Sequence, residues 1–389
     1  MTKTTIRILV FCVILPVLLL TSCRFMNKPC GAVNAVDHGV LSCNDGAENS
    51  RNLQALIDSL SEKGGVIYIP SGEYSFAANG SQTIGSHCIK MRSGVSIIGD
   101  GESTVLKPVG MSQYGLDMFY FNDYLDTGEA SYLENCRFEG FVIDASGTSC
   151  EVYTSAGKGF MFNLFKNCHW NNVTVKYTDA TGFGIDCPID SSIKNCVAIG
   201  CGKAATDESS GASGFGIGYG YSNDESIIIS NCSSMGNKKF GFFFEHQGRF
   251  NEKMYSATPK DGFIVKNCLA SDNLYNFGGI CSKEVDYLSC TSDSAGKYGF
   301  YFENSANVSV SNCEVNNSAS GVVIFNPDEK WFGGEISISD CDFIAVSDYD
   351  VRTEGRIAVL VLSDNHSELN LINIGEGADS VISKDNSWN

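Results

Sequence analysis

The sequence predicts an all-β fold, a parallel β-helix (solenoid) with a short N-terminal capping helix. Three observations carry that reading. Between Gly182 and Asn326 a glycine followed by alternating residues recurs six times: GFGIDCP from Gly182, GFGIGYGY from Gly214, FGFFFEHQ from Phe240, FGGICSK from Phe277, YGFYFENS from Tyr298 and SGVVIFNP from Ser320. Interleaved with these are Asn-Cys pairs at Cys136, Cys168, Cys196, Cys232, Cys268 and Cys313, continued by Ser289-Cys290 and Asp340-Cys341. The cysteines are 22 to 36 residues apart, the period of a solenoid in which each repeat is one coil.

The elements follow in order. Lys3 and Arg7 precede an apolar run from Ile8 to Leu20, too short to span a membrane and suited to a secretory signal. Leu20-Thr21-Ser22-Cys23 resembles the bacterial lipobox, which implies a signal peptide over residues 1–22, lipidation of Cys23 and a tether over 23–31. The expected location is therefore the bacterial cell envelope, with a lipid anchor holding the protein to a membrane. Residues 32–107 read as cap and first coils. Leu53, Leu56, Ile57 and Leu60 share one face of a helix over 52–60, stopped at Gly64-Gly65, and such a helix would cover an otherwise open end of the stack. Short strands with turn residues follow at Val66–Ile69, Ile89–Met91, Val95–Gly101 and Thr104–Lys107. Residues 109–131 break the rhythm. Coils are expected across the 108–355 segment, with insertions at 203–213 and 247–260, and closing strands over 356–389.

Composition narrows the partners. A net charge of −18 disfavours nucleic acid, so an acidic ligand would need a local basic patch or a bound cation. Of 17 cysteines, eight occupy one repeating position, which suits a stacked core column better than a disulfide framework. Cys30, Cys43, Cys88, Cys150 and Cys201 are left as candidates for pairing. No compact Cys/His spacing suggests zinc. No cofactor is required, although Asp207, Glu208, Asp224 and Glu225 offer carboxylates for Ca²⁺.

The order Val33-Asn34, Asp37-His38-Gly39, Asp45-Gly46, a helix, then Gly65-Val66-Ile67-Tyr68-Ile69-Pro70-Ser71-Gly72 and Gly94-Val95-Ser96-Ile97-Ile98-Gly99-Asp100-Gly101 resembles the N-terminal module of the pectate-lyase superfamily. That resemblance implies a right-handed parallel β-helix and action on, or binding of, a polysaccharide. It is specific for fold and not for reaction. Gly182 to Pro188 is also similar to the catalytic coil of mannuronan C5-epimerases, Tyr-Gly-Phe-Asp-Pro-His. Gly184 and Asp186 match, while Phe183 and Pro188 stand where that family has tyrosine and histidine.

Taking Gly184, Gly216, Gly241, Gly278, Gly299 and Gly321 as equivalent, alternation turns Ile185, Ile217, Phe242, Phe300 and Val322 inward and exposes Asp186, Phe243, Glu245, Tyr301 and Glu303 on one face. Carboxylates and aromatics on an open face suit a sugar. The catalytic candidates are Glu245, His246, Lys283, Glu303 and Asp186; the substrate-binding candidates are Arg249, Phe243, Tyr301, Tyr255, Tyr221 and Asn304. Two coils apart, Glu245 and Glu303 approach the separation of an inverting glycosidase pair, His246 offers a base, and Lys283 or Arg249 would face a uronate. The expected activity is lyase action on a uronic-acid polysaccharide. Its alternatives are hydrolysis by the paired glutamates and non-catalytic glycan binding. The molecule is expected as a monomer or trimer.

Overall fold

The computed structural model describes residues 28–81, 85–112, 115–153, 157–206, 211–328, 334–367, 371–375 and 377–388. Cys23, the signal segment and most of the tether lie outside them. The chain winds as a right-handed parallel β-helix in which a typical coil spends one strand in a 13-stranded sheet and two shorter strands in a 23-stranded sheet. The coil at Phe183–Ile189, for example, continues through Ser191–Lys194 and Val197–Ile199.

The 13-stranded sheet positions the site. Its strands here are β1 (Phe160–Lys166), β2 (Phe183–Ile189), β3 (Phe215–Tyr219), β4 (Phe240–His246), β5 (Tyr275–Ile280), β6 (Tyr298–Glu303) and β7 (Ser320–Asn326), each parallel to the next. Inside it Phe119, Phe160, Phe183, Phe215, Phe242, Phe277 and Phe300 form one continuous ladder. Consecutive rings lie 4.6 to 5.4 Å apart and within 17° of parallel. Identical residues at one position of successive coils stack because the rung spacing of about 4.8 Å is close to the centroid separation aromatic pairs adopt.

The Asn-Cys phrase is a corner. Asn135, Asn167, Asn195, Asn231, Asn267 and Asn312 all have φ between 51° and 59°, as do Ser289 and Asp340 where the asparagine is replaced. Asparagine tolerates this left-handed conformation better than most residues. Each following cysteine is buried, and from Cys168 onward most thiols donate back to a carbonyl of the preceding coil, as Cys290 Sγ does to Val265 O at 3.4 Å. All described cysteines are free, so the pairing considered for Cys30, Cys43, Cys88, Cys150 and Cys201 does not occur among them. A second, wholly buried asparagine series crosses rungs: Asn237 Oδ1 accepts from Cys201 N–H at 2.9 Å, and Asn273 Oδ1 accepts from Asn237 N–H at 2.8 Å. Asn237→Ala orphans the Cys201 amide. We expect it to lower the unfolding free energy by about 1–3 kcal/mol, read from urea titration.

At the N-terminus α1 spans Gly46–Leu60, six residues earlier than the apolar face alone suggests. Asp45 explains the difference, since its side chain caps the helix by accepting from Glu48 N–H at 2.8 Å. Leu53, Leu56 and Ile57 bury against the first coils. The 109–131 segment is not outside the stack: Leu116–Phe121 pairs with β1, and only the short helix Asp123–Thr127 departs from it. The C-terminal stretch continues the coils, with Ile357–Ser363 paired to Ala378–Lys384.

Candidate active site

Registry along the 13-stranded sheet sets the site. Gly184 pairs with Gly216, but Gly216 pairs with Phe243, Phe243 with Gly278 and Gly278 with Tyr301. Gly241, Gly299 and Gly321 are therefore two residues out of line with the other three glycines. An even slip leaves every side chain on its expected face, yet it changes who neighbours whom. The outward row reads Asn163, Asp186, Gly218, Glu245, Ile280, Glu303, Phe325. Asp186 thus belongs to the row of Glu245, and the two are separated by one rung that carries no side chain.

That empty rung matters. Asp186 Oδ1 lies over it and accepts from Gly218 N–H at 2.8 Å, and a methyl at Gly218 would overlap both Asp186 Oδ1 and Gln247 Nε2. Gly184 similarly clears space on the neighbouring strand, where the Lys158 chain lies across it with Nζ 3.0 Å from the position of a would-be Cβ. Lys158 is in turn set by Asp117, whose buried carboxylate accepts its backbone N–H at 2.8 Å. Gly218→Ala is expected to push the Asp186 and Gln247 side-chain ends aside with the fold retained, because only mobile atoms meet the added methyl. A native far-ultraviolet spectrum beside a shifted Glu245 titration, followed by carboxyl NMR, would check this.

The electrostatics follow from burial. The Glu245 side chain is only 12% exposed. Burial, helped by Asp186, pushes its carboxyl up to about 7 against the opposing pull of Arg249, Lys158 and Gln247. Arg249 Nε stands 3.0 Å from Glu245 Oε1, at ion-pair distance but without hydrogen-bond alignment. Burial also raises Asp186, opposed by Lys158 and by the Gly218 amide. Asp186 keeps an edge open to solvent. On its other side Asn163 follows in the row beside Tyr255, its buried Oδ1 without a hydrogen-bond partner. Tyr221 packs between Tyr255, 6.3 Å away, and Tyr132, 6.4 Å away, so three tyrosines wall this side.

The remaining sequence candidates separate. His246 is only 6% exposed and faces inward: its Nδ1 accepts from Gly248 N–H at 3.0 Å, so Nε2 carries the hydrogen given to Ala257 O at 2.9 Å. Both ring nitrogens hold the 247–260 insertion, which corrects the expectation of a base. Lys283 does not join the Glu245 row. It begins a strand of the other sheet, Lys283–Leu288, and its backbone N–H and C=O both bind the Tyr219 hydroxyl. Phe243 is 4% exposed and packs on Phe240 at 4.5 Å, so it offers no free face to a sugar. Tyr301 stacks on Tyr275 at 4.8 Å and donates to Glu303 Oε2 at 3.0 Å. Glu303 and Asp186 each stand two rungs from Glu245, on opposite sides; Ile280 fills the rung between Glu245 and Glu303, whereas only Gly218 separates Glu245 from Asp186. Asn304, at φ 50°, accepts from Asp328 N–H at 3.0 Å.

Of the carboxylates considered for calcium, Asp207 and Glu208 lie outside the described residues. Glu225 is spent on the Gly220, Tyr221 and Ser222 amides at 2.7, 2.9 and 3.1 Å, and burial still pushes it up to about 7. Among the described residues no group of three His, Cys, Asp or Glu side chains is arranged to hold a metal. Sequence reasoning missed Lys158, Asn163 and Gln247. Lys158 and Asn163 lie in no repeated phrase, Gln247 only closes the one from Phe240, and registry is what brings them to Asp186.

Fold and groove define a right-handed parallel β-helix of the pectate-lyase type. The chain belongs to the rhamnogalacturonase A/epimerase, pectate lyase-like family, whose pattern it matches over residues 32–292. No curated protein matches it. Among solved structures it is similar to the Azotobacter vinelandii mannuronan C-5 epimerase AlgE4 A-module, with 18% identity and a TM-score of 0.56 over 90% of this chain and 96% of that one. It is also similar to PfbA, a surface adhesin of Streptococcus pneumoniae, with 14% identity and a TM-score of 0.68 over 92% and 91% of the two chains. A third similarity is to the tailspike of E. coli bacteriophage HK620 in complex with a pentasaccharide, with 13% identity and a TM-score of 0.63 over 92% and 66%. At these identities the likenesses speak to fold.

Proposed function

We propose that the protein hydrolyses a uronate-bearing polysaccharide, with Glu245 as general acid and Asp186 as general base. One observation carries this: two carboxylates share an outward row across the bare rung of Gly218. Two rungs put their backbones about 9–10 Å apart, comparable with the roughly 6.5–9.5 Å carboxylate separation that leaves room for a water between sugar and base. Glu245, protonated below about pH 7, would deliver its proton to the glycosidic oxygen. Asp186, whose carboxyl burial raises against the opposing pull of Lys158 and the Gly218 amide, would in its ionised form take the proton from the attacking water. Lys158 and Arg249 supply the local positive charge that an acidic sugar needs against a net charge of −18. Family membership and the sugar-bound tailspike of the same fold support a glycan ligand.

β-Elimination is the second reading. Lys158 and Arg249 beside the row favour it, because a lyase must neutralise a uronate carboxylate before the α-proton leaves. Its base would be Tyr255, whose hydroxyl burial holds well above the usual phenol range, and that makes abstraction the harder reaction. Pectate, alginate and glycosaminoglycans should be screened together for reducing ends and for ultraviolet-absorbing unsaturated ends. New reducing ends without absorbance support hydrolysis. Absorbing products, or retention on a glycan gel with no product from any polymer, overturn it.

The lipobox-like run supports export and anchoring through Cys23. Labelled palmitate should enter the expressed wild-type protein and be absent from Cys23→Ala; incorporation into both would count against the anchor.

A further inference from the structure

Farther along the row from Glu245 lies a cavity of about 400 Å³, lined by Arg249, Phe250, Ile280, Cys281, Glu303, Asn304 and Asp328. Phe250 is 64% exposed, a large apolar ring held at the surface. The Arg249 guanidinium sits 4.5 Å from its centroid, which fixes the ring and covers one face. The lining carries two carboxylates, Glu303 and Asp328, and one guanidinium, that of Arg249, which also pairs with Glu245. Ile280 forms an apolar step between this cavity and Glu245 along the row.

We propose that this cavity is a subsite for a sugar residue without a carboxylate, stacked on Phe250 and bonded through its hydroxyls to Glu303, Asn304 and Asp328. Aromatic platforms with a few convergent polar groups hold and orient such rings. Two carboxylates accept hydroxyl hydrogens and repel a uronate, whereas Lys158 and Arg249 flank the reaction centre. The groove thus selects an uncharged sugar two rungs from the position at which it favours an acidic one. The inference rests on the groove binding glycans, as in the proposed function, but not on any reaction.

Saturation-transfer NMR tests it with methyl glycosides of glucose, galactose, mannose and N-acetylglucosamine, beside the methyl glycosides of glucuronate and galacturonate. We expect at least one neutral glycoside to receive saturation from the wild-type protein. That signal should fall at least fivefold in Phe250→Ala, while any uronate signal is unchanged. Phe250 is too exposed for this variant to threaten the fold. In Asp328→Asn uronate binding should rise about threefold or more. Neutral binding that survives Phe250→Ala, a uronate signal that falls with it, or no neutral binding at all would overturn the subsite. Because no step depends on turnover, failure of the acid–base assignment would show separately, in the product screen.

Discussion

Glu245→Gln is expected to lower kcat/KM by about 10²–10⁴-fold on whichever polysaccharide the wild-type protein cleaves, the range typical of losing a general acid. The wild-type rate should fall on the alkaline side of about pH 7, where Glu245 gives up the proton it must donate. Stability shifts in the same direction. Burial raises the Glu245 carboxyl from 4.5 to about 7, so the folded state binds a proton over a range in which the unfolded chain has released it. The resulting stabilisation is complete below about pH 4.5 and is lost as pH rises to about 7, on the order of 3 kcal/mol. Glu225, raised likewise, adds to that slope. In Glu245→Gln the slope between these pH values should shrink in urea titrations. A variant with unchanged turnover, or an unchanged pH slope, would remove Glu245 from the acid's role.

Phe215→Ala should cost about 3–5 kcal/mol, the largest effect on stability we expect from a single change. Phe215 is fully buried, stacked at 4.6 Å on Phe183 and 4.8 Å on Phe242, so its loss opens the inner ladder between two rungs that cannot close independently. Those rungs are the ones that carry Asp186 and Glu245. The same variant should therefore lose activity at temperatures where its circular dichroism is still native, because coils in a solenoid transmit strain mainly to their neighbours. A urea midpoint within error of wild type would contradict the ladder's role.

Much of this architecture is written in local pattern. The αL corners are legible as Asn-Cys phrases because asparagine tolerates positive φ and cysteine fills a small buried niche; Ser289 and Asp340, though not asparagines, adopt the same φ. The inward phenylalanines are legible by alternation. Capping is half legible: the apolar face marks 52–60, but the start at Gly46 is set by Asp45. His246 misleads because adjacency to Glu245 on one strand places it on the opposite face, where it clamps the insertion. Lys283 misleads because a corner intervenes and sends it into the other sheet.

Period and parity in the sequence are enough to establish that the chain is a parallel β-helix, which side chains line its interior, and that Asp186, Glu245 and Glu303 point out. Both properties survive a slip of two residues. Packing in three dimensions was needed to establish that Asp186 shares the row of Glu245, that Gly218 clears the rung between them while Ile280 fills the rung towards Glu303, and that Lys158 and Asn163 flank Asp186. Registry between coils is fixed by long-range packing of the rings beneath, and an even shift leaves no trace in the pattern of hydrophobic and polar residues.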